Sequence, residues 1–352
     1  MTSPTSTPPF VIIGENIHCS RVVKRDGARG GVGPDGRPAV RFPTADGSES
    51  RIPLPGSILD SSEFTVSQRI KHVMAAVRVG LAGGPEADTA AAYVAWMAQR
   101  QIDGGAAFLD LNVDEIDHDV AGRLEAMVWL VNAVGPVCSV PLSIDSSDAA
   151  VLEAGLGAID PAWADGARPM INSASMERPE TLDLCRERGL PVVLSCTGDT
   201  MPSDAPERIQ RARDIVGLAL EKGFREEDLF VDALVIPIGV DPEAGNYYLD
   251  AVRFVRQEYG PRIHITGGVS NISFGLPARR IISDVFLDLC VQAGQDSGIV
   301  DPVAADIPAA LAPDRASEAY RLAADMLTGV DAFGMDFIEA YRAGKLRTTS
   351  AS

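Results

Sequence analysis

The chain has 352 residues, of which 46% are hydrophobic and 23% charged, a mixture typical of a globular protein with a sizeable core. Its formal net charge of −18 argues against nucleic acid as a partner, because nucleic-acid-binding proteins normally present a basic patch. No run of about 18 apolar residues and no basic, apolar leader is present, so we expect a cytoplasmic protein that does not enter a membrane. The five cysteines show no C-x-x-C spacing, which favours reduced, buried thiols over disulfides or a zinc site.

Short apolar runs recur along the chain, and longer stretches with helical periodicity lie between them. This alternation predicts a parallel sheet, and eight such units predict a single (β/α)8 TIM barrel over residues 1–352, since that fold needs about 250 residues. The predicted strands are Phe10–Ile17, Ala107–Val113, Val140–Asp145, Pro169–Ser173, Pro191–Ser195, Leu229–Pro237, Ile263–Thr266 and Gly298–Val300. The clearest predicted helices are Asp88–Gln101, Asp119–Val134, Pro206–Lys222, Tyr248–Tyr259 and Arg279–Ala293.

One segment interrupts this alternation of predicted strands and helices. Residues 20–63 are rich in Gly, Pro, Arg and Asp and have little apolar periodicity, which predicts a long loop inserted after the first strand. Because the loops that follow barrel strands lie at the active-site face, we expect this insertion there, either as a partial lid or as a mobile segment. Residues 345–352 are predicted to be a flexible tail.

Carboxylate and amide side chains follow the apolar part of most predicted strands. In a TIM barrel the carboxyl ends of the strands build the active site, so we expect these side chains to converge there. One Asp at a strand end is more often a helix cap than a catalyst, but the repetition along the chain favours a functional site. The residues concerned are Glu15, Asp110, Asn112, Asp145, Asn172, Asp232 and Asn271, and the hydroxyl residue Ser195 ends a further strand.

Their chemistry suits a flat, neutral heterocycle with several hydrogen-bond donors. A carboxylate can accept two parallel hydrogen bonds from an adjacent N–H and amino group, and an amide can both donate and accept. A pterin has such an edge. The alternative is a divalent metal, since oxygen ligands suit magnesium or manganese. Three of the residues are neutral amides, and no pair of histidines has ligand spacing, so we expect no metal.

A series of short motifs contains these residues. They are Ile13-Gly14-Glu15-Asn16-Ile17, Leu109-Asp110-Leu111-Asn112-Val113, Leu142-Ser143-Ile144-Asp145-Ser146, Met170-Ile171-Asn172-Ser173, Phe230-Val231-Asp232-Ala233-Leu234 and Gly267-Gly268-Val269-Ser270-Asn271-Ile272-Ser273-Phe274. Taken in order they resemble the pterin-binding family that includes methyltetrahydrofolate:corrinoid methyltransferases and the folate domain of cobalamin-dependent methionine synthase. The resemblance spans nearly the whole barrel.

The resemblance implies an enzyme that moves a methyl group, in either direction, between the 5-nitrogen of tetrahydrofolate and the cobalt of a corrinoid. It implies that Asn271 sits beside the reactive nitrogen and that Asn271 and Asp145 are the catalytic residues. Asp145 would also hold the pterin edge, together with Asn172 and Asp232. The full set of pterin-binding residues that it suggests is Glu15, Asp110, Asn112, Asp145, Asn172, Ser195, Asp232, Gly267 and Asn271.

The cobalamin is expected on another protein. The chain has no Asp-x-His-x-x-Gly motif, and Asp117-His118 does not continue with that spacing. A separate corrinoid protein is therefore the predicted partner, with tetrahydrofolate or 5-methyltetrahydrofolate as substrate. A second methyltransferase could act through that same protein, and the resemblance also implies a homodimer.

Two other functions stay open at this point. The barrel also resembles dihydropteroate synthase, although that enzyme's basic Lys and Ser-x-Arg signatures have no clear counterpart here. The chain could instead be a folate-binding module without catalysis. The first strand reads Gly14-Glu15-Asn16-Ile17-His18 where the family commonly has Gly-Glu-Arg-x-Asn, so His18 could be an acid–base group or a structural side chain.

Overall fold

A computed structural model describes residues 9–44 and 46–346. Contacts between Cα atoms divide the chain into two compact units: residues 14–172 form one unit, and the other contains the residues before position 14 and those from Ser173 onward. Most of the predicted flexible tail, residues 347–352, lies outside the described residues. Within the described ranges, no helix has both the length and the apolar character that crossing a membrane requires.

The segment predicted as an irregular loop contains regular structure. Barrel strand β1 (Val11–His18) is followed by β2 (Val22–Lys24), β3 (Gly30–Val32), β4 (Pro38–Pro43), β5 (Glu49–Pro53), short helices α1 (Gly56–Leu59) and α2 (Ser62–Thr65), and β6 (Arg69–Lys71). Strands β3, β4 and β5 form an antiparallel sheet, and β2 pairs antiparallel with β6. The expectation of a structureless loop is therefore corrected, while its place at the active-site face stays a prediction.

An aromatic cluster attaches the antiparallel sheet to the helices α3 (His72–Ala82) and α4 (Ala87–Asp103). Phe42 of β4 is 3% exposed, and its ring centroid lies 5.1 Å from that of Tyr93 and 5.9 Å from that of Trp96 on α4. The Tyr93 hydroxyl lies 2.8 Å from Nδ1 of the buried His72. The insertion therefore packs against α4 through an aromatic contact.

The remaining elements of this unit alternate strand and helix. They are β7 (Phe108–Asn112), α5 (Val120–Val134), β8 (Leu142–Asp145), α6 (Ala149–Ala158) and β9 (Met170–Ala174), the last of which extends past Asn172. The side chains of Asp119 and Asp148 cap α5 and α6 by accepting backbone N–H groups. Parallel pairing aligns Asn112 with Asp145 and Asp145 with Asn172.

The other unit continues the alternation. Its elements are α7 (Glu180–Arg188), β10 (Val192–Ser195), α8 (Ala205–Glu221), β11 (Leu229–Asp232), α9 (Ala244–Tyr259), β12 (His264–Thr266), α10 (Arg279–Ala293), β13 (Ser297–Val300), α11 (Ile307–Ala310), α12 (Glu318–Leu327) and α13 (Met335–Arg342). Parallel pairing aligns Ser195 with Asp232 and Asp232 with Thr266. A parallel bridge joins Gly268, just after β12, to Ile299 of β13.

The eight parallel strands belong to one sheet, in the order β12-β11-β10-β9-β8-β7-β1-β13, and form the barrel of a TIM fold. This confirms the predicted fold class and all eight predicted strands. The sixth strand, β11, ends at Asp232 rather than at the predicted Pro237, because Leu234 has a φ of 65° that an extended strand does not accommodate. Short 3₁₀ helices cover Gly135–Val137, Trp163–Gly166, Glu226–Asp228, Val269–Ser273 and Ala332–Gly334.

The five cysteines are buried, free thiols, as predicted. Burial is the main cause that raises the pKa of each thiol above its ordinary value. The thiolate form is therefore suppressed at every cysteine. Positively charged neighbours of Cys19, Cys196 and Cys290 act in the opposite direction, but burial outweighs them.

Candidate functional site

In the unit of residues 14–172, polar side chains meet at the carboxyl ends of β7, β8 and β9. Oδ1 of Asp110 accepts hydrogen bonds from the Ser143 hydroxyl at 2.6 Å and from the Asn172 amide at 3.3 Å. The Asn112 amide donates to Oδ2 of Asp145 at 2.9 Å. Asp110 and Asn112 are only 4% and 5% exposed. We call these five residues the carboxylate cluster, and it brings together four of the predicted site residues.

The two carboxyl groups of the carboxylate cluster interact electrostatically. Burial raises the pKa of Asp110 to about 6, against the opposing effect of the hydrogen bonds from Ser143 and Asn172. Burial also raises the pKa of Asp145 well above its usual range, and the negative charge of Asp110 adds to that effect. Because the charge of each carboxyl group disfavours ionisation of the other, the pair retains a proton more readily than two isolated carboxyl groups would. Together they offer buried acceptors to a ligand that brings its own donors.

Glu15 lies on β1 and is fixed by the first part of the insertion. Its carboxylate lies 2.6 Å from Nη2 of Arg21, and the Arg21 Nε donates to the Glu15 carbonyl oxygen at 3.2 Å. The Glu15 side chain is 16% exposed. A site that used Glu15 would therefore also depend on the position of Arg21.

His18, at the end of β1, accepts a hydrogen bond from the Ser20 backbone N–H at Nδ1, with an N···N distance of 3.0 Å. This bond places the ring proton of neutral His18 on Nε2. Burial, helped by the positive charge of Arg21, lowers the pKa of His18 to about 4. His18 is therefore neutral near pH 7, where it can donate a hydrogen bond from Nε2 but does not serve as an imidazolium acid.

In the other unit, Asp232 ends β11 beside Ser195, which is 6% exposed, and near Gly267. Oδ1 of Asp232 accepts the Leu234 N–H at 2.8 Å. Burial raises the pKa of Asp232 to about 6, while this hydrogen bond and the charge of Arg208 act in the opposite direction. Asp232 therefore keeps an acceptor oxygen in a largely desolvated position.

Glycine at position 267 leaves room for two neighbouring polar groups. A Cβ atom there would lie 2.4 Å from the Tyr248 hydroxyl and 3.2 Å from Oδ1 of Asp232. The Tyr248 hydroxyl itself donates to the Thr266 carbonyl oxygen at 2.9 Å. The close approach of the backbone to Asp232 thus requires a residue without a side chain at this position.

Asn271 lies in the 3₁₀ helix Val269–Ser273 and is exposed. Its backbone N–H donates to the Gly268 carbonyl oxygen at 3.0 Å. A Cβ atom on Gly268 would come within 2.8 Å of the Asn271 Nδ2, so that glycine makes space for the amide. Among the residues that the structure describes, no side chain or carbonyl group forms a hydrogen bond with the Asn271 amide. The amide is therefore available to a ligand.

Two residues near these groups were not assigned from the sequence. Ser143 could have been found, because the alternation of a strand places it on the same face as Asp145. Arg208 could also have been noticed, since it interrupts the apolar stripe of α8 with a charged side chain. Helical spacing alone does not say what such a residue contacts.

The described ranges contain no group of three or more His, Cys, Asp and Glu side chains arranged to hold a metal ion. The acceptors of the carboxylate cluster are instead paired with amide and hydroxyl donors from the protein. This arrangement can bind a polar, uncharged ring through hydrogen bonds.

Residues 86–301, more than half of the chain, match the model of the pterin-binding enzyme family. The chain belongs to this family. The matched range contains every predicted site residue from Asp110 to Asn271, whereas Glu15 and the insertion lie before it. Membership confirms the resemblance that the strand-end motifs indicated.

Individual relatives are consistent with this membership. The chain is 26% identical over 274 residues to a methylcorrinoid:tetrahydrofolate methyltransferase from Eubacterium limosum, in an alignment that covers 74% of this chain and 91% of that protein. It is 31% identical over 220 residues to methionine synthase from Mycobacterium leprae, which covers 58% of this chain and only 17% of the synthase. This chain therefore corresponds to a small part of methionine synthase.

The fold itself is similar to that of a solved dihydropteroate synthase from Stenotrophomonas maltophilia with imidazole bound in its active site. The TM-score is 0.51, the sequence identity is 22%, and the match covers 65% of this chain and 87% of that one. At this identity the similarity concerns the barrel architecture.

Proposed function

We propose that this chain is a methyltransferase that moves a methyl group between the 5-nitrogen of tetrahydrofolate and the cobalt of a corrinoid carried by another protein. The observation that carries the proposal is the similarity to the Eubacterium limosum methyltransferase, because the alignment extends over 91% of that protein. The similarity to methionine synthase supports the same class of reaction, although it concerns a small part of that larger protein.

The carboxylate cluster is proposed to bind the pterin edge. The 2-amino group and the N3–H of a pterin are neighbouring donors, and the Asp145 carboxylate can accept both of them. Asn112 and Asn172 fix the carboxylates of Asp145 and Asp110 through hydrogen bonds. Because Asp110 is buried and Asp145 is half-buried, ligand donors would replace the missing water as hydrogen-bond partners.

Asn271 is proposed to act at the 5-nitrogen. Removing a methyl group from this nitrogen leaves electron density on a poor leaving group, which a hydrogen-bond donor stabilises in the transition state. The Asn271 amide can donate to the nitrogen and keeps no protein partner, among the described residues, that it would first have to lose. In the reverse direction the same amide orients the nitrogen lone pair for attack on the methyl group.

Methyl transfer from 5-methyltetrahydrofolate to free reduced cobalamin tests the proposal. The change in cobalt absorbance is followed for the wild type, for Asn271→Ala, and for Asn132→Ala as a matched control, because Asn132 is an exposed residue on α5. We expect Asn271→Ala to lower the rate at least about tenfold, which corresponds to roughly 1.4 kcal/mol of transition-state stabilisation. Asn132→Ala should react at the wild-type rate.

Other outcomes point to the other functions. If the wild type binds 5-methyltetrahydrofolate but transfers no methyl group in either direction, the chain is a folate-binding module. If it condenses a pterin pyrophosphate with aminobenzoate, it is a synthase. A corrinoid protein is the proposed partner, and sedimentation of the purified chain tests the proposed homodimer.

A further inference from the structure

Arg208 occupies an unusual position for a charged residue. It lies on α8 among the buried residues Ala205, Ala212 and Ile215, and is itself only 1% exposed. Among the described residues it forms no ion pair with a carboxylate, and its Nε has no hydrogen-bond partner. Burying a guanidinium group without a paired anion is unfavourable, so the contacts that it does make require an explanation.

Those contacts are with the turn that follows β11. Nη1 of Arg208 donates to the Ala233 carbonyl oxygen at 2.7 Å and also to the Leu234 carbonyl oxygen. Leu234 has a φ of 65°, in the left-handed region that residues with a side chain rarely adopt. The Arg208 guanidinium therefore stabilises a turn whose backbone conformation is strained.

The same turn determines how Asp232 is oriented. The Leu234 N–H donates to Oδ1 of Asp232 at 2.8 Å, so the left-handed residue holds one carboxylate oxygen in place. The second carboxylate oxygen makes no hydrogen bond with the residues that the structure describes. The positive charge of Arg208 also lowers the pKa of Asp232, which favours the ionised carboxylate.

We propose that Arg208 is a positioning residue for Asp232: by holding the Ala233–Leu234 turn, it directs one oxygen of the Asp232 carboxylate to the backbone and leaves the other for the pterin. This inference rests on the proposed function, since it assumes that Asp232 binds the pterin. Arg208 itself would not touch the ligand. It would act through the turn and through its charge.

Two substitutions separate geometry from charge. Arg208→Met removes both the donors and the charge, whereas Arg208→Lys keeps the charge but ends one bond short of the Nη1 position, which contacts both carbonyl groups. Arg213→Met is the matched control, because Arg213 is an exposed arginine on the same helix and stacks on Phe254. The dissociation constant of 5-methyltetrahydrofolate is measured by calorimetry between pH 5 and pH 8, with circular dichroism to verify folding.

We expect Arg208→Met to raise the dissociation constant at least tenfold at pH 7.5. It should also move the midpoint at which acid weakens binding to a higher pH, because Asp232 would lose a neighbouring positive charge. Arg208→Lys should weaken binding while keeping the wild-type midpoint, and Arg213→Met should change neither quantity. An arginine that only stabilised the fold would not change the pH midpoint at which acid weakens binding.

A rescue variant tests the role of the turn and remains informative if Arg208→Met does not fold. Glycine adopts a left-handed conformation readily, so adding Leu234→Gly to Arg208→Lys should recover at least threefold of the lost affinity. The inference is overturned if Arg208→Lys binds like the wild type, if Arg208→Met folds and binds like the wild type with the same midpoint, or if Leu234→Gly restores nothing.

If the folded wild type does not bind folate, the proposed function itself is contradicted. The role of Arg208 is then decided without ligand, by a double-mutant cycle of Arg208→Lys and Asp232→Asn on the melting temperature as pH varies. Coupled effects of the two substitutions support the positioning role. Additive effects at every pH overturn it.

Discussion

The Asp232 carboxylate, which we propose binds the pterin, is costly for folding at neutral pH. One oxygen accepts the Leu234 N–H, and the buried environment raises the pKa of the group from its ordinary value of 3.8 to about 6. The folded protein therefore binds a proton at Asp232 more tightly than the unfolded chain does. Its contribution to stability is fully present below pH 3.8 and is lost as the pH rises through about 6.

Asp232→Asn should accordingly stabilise the protein at neutral pH. The amide carbonyl oxygen can still accept the Leu234 N–H, while the cost of a buried negative charge disappears. We expect a gain in the free energy of unfolding of about 1 to 3 kcal/mol at pH 7.5, which vanishes below about pH 4. Urea denaturation over this pH range measures it, with the exposed Asp199→Asn as control. A gain that is the same at pH 4 and pH 7.5 would contradict this account.

For single residues, the sequence predicts positions in the fold but not pKa values or contacts. The motifs locate Asp110, Asn112, Asp145 and Asn172 on neighbouring strands, and the structure connects them through hydrogen bonds. The raised pKa values could not be predicted, because they depend on burial and on contacts between residues that are distant in the chain. The contacts of Arg208 could not be predicted either, because the two carbonyl groups that it contacts lie outside its own helix.

At the scale of single elements, the turn after β12 depends on the missing side chain of Gly267. Gly267→Ala would place a methyl group 2.4 Å from the Tyr248 hydroxyl, so the tyrosine or the turn must move. We expect a loss of roughly 1–3 kcal/mol of stability and weaker binding of 5-methyltetrahydrofolate. Thermal unfolding and calorimetry measure these two effects.

Gly217→Ala is the matched control for this prediction. Gly217 lies inside α8, and a Cβ atom there would meet no neighbouring atom within 4 Å. Alanine should therefore stabilise the helix by about 0.5–1 kcal/mol. If both substitutions changed stability by the same amount, close packing around Gly267 would not explain the effect of Gly267→Ala.

The barrel strands were predictable because each is a short run of apolar residues between polar turns. The strands of the insertion were not predictable, because only a few of their positions alternate between apolar and polar residues, and charged residues lie among them. Arg41 of β4 lies opposite Arg51 of β5, and Glu49 of β5 forms ion pairs with both, at 3.8 Å across the two strands to Arg41 and at 2.6 Å to Arg51. Such compensation between strands depends on register and is invisible in a single window of sequence.

We expect Phe42 to make the largest contribution to the packing of the insertion against α4. Phe42→Ala removes a buried ring that packs on Tyr93 and Trp96, and substitutions of this kind typically cost about 3–5 kcal/mol. We expect amide hydrogen exchange to accelerate over residues 38–53. Val32→Ala, at a position that is 56% exposed, should leave exchange there unchanged. Unchanged exchange in Phe42→Ala would show that other contacts hold the insertion.

At the scale of the whole molecule, the chain contains 49 acidic residues but only 31 basic ones. Repulsion between like charges opposes the compact state, and dissolved salt screens it over distances beyond about 10 Å at 0.1 M. The melting temperature should therefore rise between ~0.02 and ~0.5 M NaCl at pH 8. Calorimetric scans measure it, and a falling melting temperature would show that attractive ion pairs dominate instead.

The five buried thiols also determine how this protein can be labelled chemically. Because each thiol is buried and its thiolate is disfavoured, a maleimide dye should leave the folded wild type almost unmodified. Val240, in the loop after β11, is 76% exposed. A cysteine introduced there by Val240→Cys would then react selectively, and a fluorophore at that position could report the arrival of a partner protein in real time.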